Sequence, residues 1–319
     1  MGIKLLNSFL KNYCTNGITE KHLSNFYGKK IAIDISIYMY KYKSEEQLIE
    51  KIYLMCCIFD YYNIIPIFVF DGKPPEEKKH TLITRREERN YAKDELNKIM
   101  DDLRKNNVDA DTYVLNYKNK IRALKKQSVK ITNDEFDKIK RLIDGFGMTY
   151  VVADSEAETL CAKLLYKKQV HYCLSEDTDM FVYLSPYTLR YISLSNHKVL
   201  LYDLKKILIN LNLTRSEFVS ICVLSGNDYY NGNKNIYYYY KMIMKYKKIC
   251  NNVNDDDNDT FIEFLKKKRI INDALIEDFN KNKKMYHLQN DKGRIKFNTH
   301  RKNKHIINSI LTEADFIFE

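Results

Sequence analysis

The 319-residue chain reads as an α/β fold, with a mainly parallel central sheet flanked by helices, a helical insertion and a helical C-terminal part. Three observations predict it. Short apolar runs end abruptly in acidic residues, segments of helical periodicity separate them, and residues 76–130 break the alternation with a long charged stretch. The first run is Ile31-Ala32-Ile33 before Asp34, and the second is Ile64 to Phe70 before Asp71-Gly72-Lys73-Pro74-Pro75. Runs this short, rich in β-branched and aromatic residues and bounded by turn formers, suit strands buried on both faces. Between them, Leu48, Ile52, Met55, Cys56 and Phe59 fall at helical spacing, so Glu45 to Tyr62 is the connecting helix. Thr149 to Val152 and Val170 to Leu174 are two further strands around a helix at Glu156 to Tyr166.

Residues 76–130 carry Arg85, Arg86, Arg89, Lys93, Lys98, Arg104, Lys118 and Arg122 but few positions for a core stripe. A solvated helical hairpin is the plain account, and a surface for a polyanion is the functional one. Asn251 to Asp259 is low-complexity and acidic, as in a disordered loop, and a basic, mostly helical segment follows. The expected division is a core over 1–225, with the insertion at 76–130, and a helical C-terminal region over 226–319.

Composition narrows the function. Lys plus Arg number 53 against 42 Asp plus Glu, a net charge of +11, which favours a polyanionic partner. No apolar run approaches the roughly 20 residues that span a bilayer. The N-terminal residues lack a signal peptide's apolar block, and Leu6 stands where a myristoylation signal has Ser or Thr. An intracellular protein is expected. The seven cysteines form no C-x-x-C pair and the histidines no H-E-x-x-H, so neither a zinc site nor a disulfide framework is expected.

The informative feature is where the acids fall. Asp34 and Asp71 follow strands, and Ser155-Glu156-Ala157-Glu158 opens a helix after one. Ser175-Glu176-Asp177-Thr178-Asp179 follows His171 to Leu174, and Gly226-Asn227-Asp228-Tyr229 ends the apolar stretch Phe218 to Leu224. In an open α/β sheet the carboxyl ends of the strands line one crevice, so acids from several ends converge. Any single one is ordinary: Ser155, for instance, reads as a helix cap with Glu158 as its box partner. Five such segments together are not. Converging carboxylates repel, and bound cations resolve the repulsion. All-oxygen ligation selects Mg²⁺ or Mn²⁺, and two such ions about 4 Å apart suit phosphoryl chemistry. An acidic metal pit within a basic protein points to a nuclease.

Met1-Gly2-Ile3-Lys4, Ile33-Asp34, Val69 to Pro75, Ser155 to Glu158, Glu176 to Asp179 and Gly226 to Tyr229 together resemble, in order, the signatures of the flap endonuclease and XPG-type family of structure-specific 5′ nucleases. The resemblance covers roughly residues 1–230. It implies a 5′ nuclease fold of PIN-like type, and the hydrolysis of DNA at single-strand/duplex junctions in replication, repair or recombination. Asp34, Asp71, Glu156, Glu158, Asp177, Asp179 and Asp228 match the acids that hold two Mg²⁺ ions, for which Mn²⁺ can substitute. Lys78 and Arg85 match basic residues that stabilise the scissile phosphate. Tyr40 matches an aromatic on which a base stacks, although core packing is the plainer account in a stretch with Tyr38 and Tyr42. Gly2 matches a residue close to the substrate junction, and the insertion matches a helical arch whose Arg86, Arg89 and Lys93 would guide phosphates. After Asp228 the family carries a hairpin that grips duplex DNA through potassium. Here only Gly232 and a hydrophobic position match it, with Lys234 and Lys241 as nearby cations, so the match does not carry the potassium site.

The family's sliding-clamp box has no counterpart, and Phe316-Ile317-Phe318 reads as a packed tail. The expected place of work is a site of DNA replication, the nucleus or, for a viral member, the cytoplasm. Two alternatives remain: a 5′→3′ exoribonuclease or RNA-primer remover, and an inactive DNA-binding scaffold.

Overall fold

The computed structural model describes residues 2–105, 110–228, 230, 232–249, 258–288, 293–297, 301–314 and 316. The low-complexity stretch 251–257, Tyr229, Asn231, Ile317 and Phe318 lie outside the described residues. Seven strands form one sheet: β1 (Ile18–His22), β2 (Lys30–Asp34), β3 (Ile65–Phe70), β4 (Thr149–Val152), β5 (Tyr172–Leu174), β6 (Tyr187–Ser193) and β7 (Lys198–Asp203). Their order is β1-β7-β6-β5-β2-β3-β4. The β2–β3, β2–β5 and β5–β6 pairs are parallel, whereas β1–β7 and β6–β7 are antiparallel. The mainly parallel sheet flanked by helices is therefore observed.

The central strands follow the expected physics. The last four residues of β2 and the last five of β3 are buried, as a strand covered on both faces requires. The sequence reading missed the antiparallel edge. β1 is Ile-Thr-Glu-Lys-His, half-exposed to exposed throughout, and carries no core signal. Its charges suit an edge strand, where Glu20 pairs with Lys198 of β7 at 2.6 Å. The helix expected over 45–62 is observed as Leu48–Tyr61, and a further helix, Ile35–Ser44, precedes it, with Glu46 in a left-handed conformation between the two. Phe218 to Leu224, which ends short of Asp228, belongs to the helix Arg215–Leu224 and not to a strand.

Packing divides the described chain into two compact units, each assembled from three stretches. The first comprises 1–34, 58–73 and 151–297. In it the helix Ala157–Tyr166 packs Ala157, Cys161, Leu164 and Leu165 against Ala32, Ile67, Val69 and Cys173 of the sheet. A second cluster joins the helices Leu6–Tyr13, Leu204–Leu211, Arg215–Leu224 and Ile236–Ile249 through Leu6, Phe9, Leu208, Phe218 and Tyr239.

The second unit comprises 35–57, 74–150 and 298–319. The helices Lys79–Lys105 and Ala110–Ser128 form the predicted insertion, and Ala92, Leu96, Ile99, Ile121 and Leu124 make the small apolar seam between them. The helix Lys304–Glu313 lies on Asn133–Gly145, close enough that a Cβ at Gly145 would sit 3.0 Å from Ile307. Among the described residues no single helix is long and apolar enough to cross a membrane.

The start of Asn133–Gly145 is fixed by a capping box. Glu135 N–H donates to Thr132 Oγ1 at 3.2 Å, and Thr132 N–H donates to Glu135 Oε2 at 2.9 Å. Burial raises the Glu135 carboxyl pKa, but the ammonium of Lys43 and the Thr132 donors outweigh it and hold the group below its ordinary value. Its stabilisation is thus complete above the ordinary glutamate range and fades as pH falls through the lowered folded value. Thr132→Ala is expected to cost about 1 kcal/mol, read as a lower urea midpoint; an unchanged midpoint would refute the role of the cap.

Candidate functional site

The parallel register brings the acids together. Asp34 ends β2 level with Val69 of β3, and Ile33 is level with Leu174 of β5. The residues that follow, Asp71 after β3 and Ser175 after β5, therefore leave the sheet along the same edge as Asp34. Hydrogen bonds then link the segments. Ser175 Oγ donates to Asp34 Oδ2 at 3.0 Å and accepts from Asp177 N–H at 3.0 Å. Asp177 Oδ1 in turn accepts from Asp179 N–H at 2.9 Å, at the start of the turn of helix Asp179–Val182.

Glu156 and Glu158 join them from the other side of β3. The expected Ser155–Glu158 capping box is absent, since the N-cap of Ala157–Tyr166 is Glu156 and makes no side-chain cap bond. The first N–H of that helix, on Ala157, donates instead to Asp71 Oδ1 at 2.9 Å. Asp71 thus caps a helix that begins 86 residues further along the chain. Gly72 allows this approach: a Cβ there would fall 1.8 Å from Ala153 O. Carboxylates at a helix N-terminus also meet the positive end of its dipole, which offsets part of their repulsion.

Five of the acids are buried, Asp34, Glu156, Glu158, Asp177 and Asp179, each 2–7% exposed. Asp71 is exposed and Asp228 half-buried. Neighbouring groups register the accumulated charge. Burial pushes the Tyr183 hydroxyl far above its ordinary value; a hydrogen bond with Thr159 opposes this, and the charges of Glu158, Asp179 and Glu156 add to it. Burial likewise raises the Cys161 thiol, followed by its hydrogen bond and charge contact with Cys173 and then by Asp34 and Glu158. The Cys222 thiol is raised by burial and by Asp179.

Gly2 lies against two of these acids, and the segment bearing Asp228 is tied to the same stretch. A Cβ at Gly2, whose φ is +78°, would lie 2.3 Å from Asp177 Oδ1 and 2.8 Å from Asp179 Oδ1. Only glycine fits there. Two residues on, Lys4 N–H donates to Gly226 O at 3.3 Å, which ties the Asp228 turn to the segment lying on Asp177 and Asp179. Gly226, at φ +93°, and Gly232 pack backbone to backbone, so that a Cβ on Gly232 would meet Gly226 N at 2.6 Å. Gly232 thus packs against the segment that leads into Asp228. Lys234 and Lys241 are exposed beyond it, with Lys234 over the ring of Tyr238 at 5.8 Å.

The remaining predicted residues belong to the second unit. Tyr40 is 41% exposed while Tyr38 and Tyr42 are buried, so the core-packing account applies to its neighbours and not to Tyr40. Lys78 ends a short 3₁₀ turn and is half-buried. Arg85 and Arg89 are half-buried along the helical stripe that continues into Ala92 and Leu96, whereas Arg86 and Lys93 are exposed.

Sequence reasoning missed the residues that hold the acids. Ser175 was visible only as the start of its motif. Arg190, 4% exposed, donates to Glu176 O at 2.6 Å and to Asn7 Oδ1 at 3.3 Å, and so anchors the acid-bearing loop from β6. A bulge beside it, with Tyr191 at φ +56°, turns Tyr191 N–H to Glu176 Oε1 at 2.6 Å. Alternation in Tyr187–Ser193 was the available signal, and an inward-facing arginine contradicts it. Among the described residues no three Asp, Glu, His or Cys side chains are gathered into a complete ligand set for one ion. The fold supplies neighbouring carboxylates, an all-oxygen donor set that fits a hard divalent cation.

Two family models match the chain: the XPG N-terminal domain over residues 1–92 and the XPG I-region over 147–228. Flap endonuclease 1 of Enterocytozoon bieneusi is 32% identical over 273 residues, covering 79% of this chain and 72% of that protein. The chain belongs to the XPG-type 5′ nuclease family. Another XPG-type relative, flap endonuclease 1 of Theileria annulata, is 34% identical over 247 residues, covering 72% of this chain and 46% of that protein. The chain spans 46–62% of the length of the Theileria and Glycine max relatives it matches. The catalytic core of Rad2 in complex with a DNA substrate shares the XPG-type fold at a TM-score of 0.64, with 21% identity over 97% of this chain and 94% of that one. The XPG-type windows include every predicted acid, with Gly2, Tyr40, Lys78 and the arginines, and stop short of Gly232.

Ser175→Ala removes the hydroxyl that bridges Asp34 and Asp177 and is expected to cost about 1–3 kcal/mol. Chemical denaturation reads this directly; a variant as stable as the parent would show that the bridge is dispensable.

Proposed function

We propose that the protein is a divalent-metal-dependent 5′ nuclease that hydrolyses DNA phosphodiesters at single-strand/duplex junctions, by flap endonucleolysis, 5′ exonucleolysis or both. The observation that carries this reading is that Asp34, Glu156, Glu158, Asp177 and Asp179 are all buried, with Asp34 tied through Ser175 to Asp177 and Asp177 to Asp179. Buried like charges destabilise a fold unless something of opposite sign joins them. Asp34, Asp71, Glu156, Glu158, Asp177, Asp179 and Asp228 would hold two Mg²⁺ ions, or Mn²⁺ in their place. Such a pair, when bound, activates a water for in-line attack and stabilises the departing oxygen.

The chain's own residues supply the rest. Gly2 leaves room at the rim for a close approach. Lys78 and Arg85 stabilise charge on the scissile phosphate, and Tyr40 offers an exposed ring for a base, a contact worth about 1–3 kcal/mol. Arg86, Arg89 and Lys93 guide the single strand, and Lys234 and Lys241 meet duplex phosphates, contacts that weaken as salt rises. Potassium is not part of this reading, because only Gly232 and a hydrophobic position of the family's hairpin are matched after Asp228. DNA is the proposed partner, at intracellular sites of replication; an RNA primer on the same flap is the variant substrate.

Purified protein with Mg²⁺ should cut a 5′-flap DNA, fall silent in EDTA, and lose at least about 10³-fold in rate as Asp179→Ala. Undiminished cutting by that variant would reject the reading, and faster cutting of the RNA version of the flap would redirect it to RNA. Lys78→Ala and Arg85→Ala should each lower kcat by about 10²-fold with little change in flap affinity. A loss confined to affinity would reassign them to binding.

A further inference from the structure

We infer that Tyr286 is a positioning residue for the cation-binding carboxylates. Tyr286 lies at the C-cap of the helix Asp273–Met285, 107 residues beyond Asp179 and outside the segments matched by the family models. Its ring is 6% exposed and stands edge-to-face against Tyr183, with centroids 5.1 Å apart. Its hydroxyl donates to Asp179 Oδ2 at 2.9 Å in a buried setting. The other oxygen, Oδ1, faces Gly2, and the Asp179 backbone N–H is taken by Asp177 Oδ1 at 2.9 Å.

Asp179 is thus held from both sides. Its main chain is tied to the neighbouring acid, and one carboxylate oxygen is tied to a phenol from a distant helix. A carboxylate held in this way offers one oxygen to an incoming cation in a set direction. Free rotation would let it swing or turn both oxygens inward. Donors behind a metal ligand typically set affinity by about 10–100-fold. Tyr183 supports the arrangement from behind: it carries the ring on which Tyr286 leans, and its own hydroxyl is engaged by Thr159 at 2.9 Å.

The inference rests on the proposed role of Asp179, and the test separates the two. Mn²⁺ binding, followed by the loss of the free-ion electron paramagnetic signal, is measured for the full chain, Tyr286→Phe, Asp179→Ala and Tyr240→Phe. The last variant loses a partly buried hydroxyl bonded to Leu211 O, remote from any carboxylate bond. Tyr286→Phe keeps the ring and should bind Mn²⁺ roughly 10–100-fold more weakly. The Mg²⁺ concentration for half-maximal flap cleavage should rise by the same factor, with the rate recovering at excess Mg²⁺, and Tyr240→Phe should match the parent. Melting in EDTA reports folding. Unchanged Mn²⁺ affinity in Tyr286→Phe overturns the inference, and so does a lower melting temperature with affinity intact, or an equal loss in Tyr240→Phe. If the parent neither binds Mn²⁺ nor cuts, the nuclease reading fails and this inference with it.

Discussion

Crowded negative charge is the constraint around which the first unit is built. A parallel sheet delivers the ends of β3, β2 and β5 to one edge, and each end carries an acid or leads straight into a loop that does. Backbone and hydroxyl donors meet the resulting repulsion. Ala157 N–H serves Asp71, Asp179 N–H serves Asp177, and the Ser175 hydroxyl serves Asp34. Such charge-assisted bonds are about twice as strong as neutral ones. They fix carboxylate positions without neutralising them. Even the glycines follow from this constraint, because Gly2 and Gly72 stand where any side chain would strike an acid-bearing segment.

Behind the loop Ser175–Asp179 lies a second layer with its own charge problem. Arg190 is buried, and it is tolerated because Glu176 and Asn7 occupy its guanidinium while the rings of Phe181, Tyr191 and Tyr202 surround it. A buried guanidinium without such partners costs several kcal/mol. The β6 bulge has the same logic, since one irregular residue redirects an N–H from the strand ladder to a carboxylate.

The central strands were legible because burial on both faces writes itself as an unbroken apolar run, and the acids because each terminates one. Other elements were hidden for identifiable reasons. β1 is an edge strand of mostly polar residues, so it carries no pattern. In Phe218 to Leu224 every residue is buried, and a helix buried all round loses the periodicity that separates it from a strand. Ser155 and Glu158 have the spacing of a capping box, but tertiary structure gave the cap to Asp71. Contacts of that kind, like the Tyr286–Asp179 bond, join residues about 90 to 110 positions apart and leave no local trace. Tyr40 is the instructive intermediate: composition alone favoured core, yet helix geometry buries Tyr38 and Tyr42 and leaves the tyrosine between them in solvent.

The threading of the chain sets the order of assembly. Each unit draws on three separate stretches, and the second closes only when Lys304–Glu313 settles on Asn133–Gly145 through Ile306 and Ile307. A nascent polypeptide emerging from the ribosome therefore cannot finish either unit early, as a protein with sequential domains can. The face of Asn133–Gly145 around Gly145 stays uncovered until residues 304–313 have been made. The interval before that is when an exposed apolar surface on the second unit would most need a chaperone's cover.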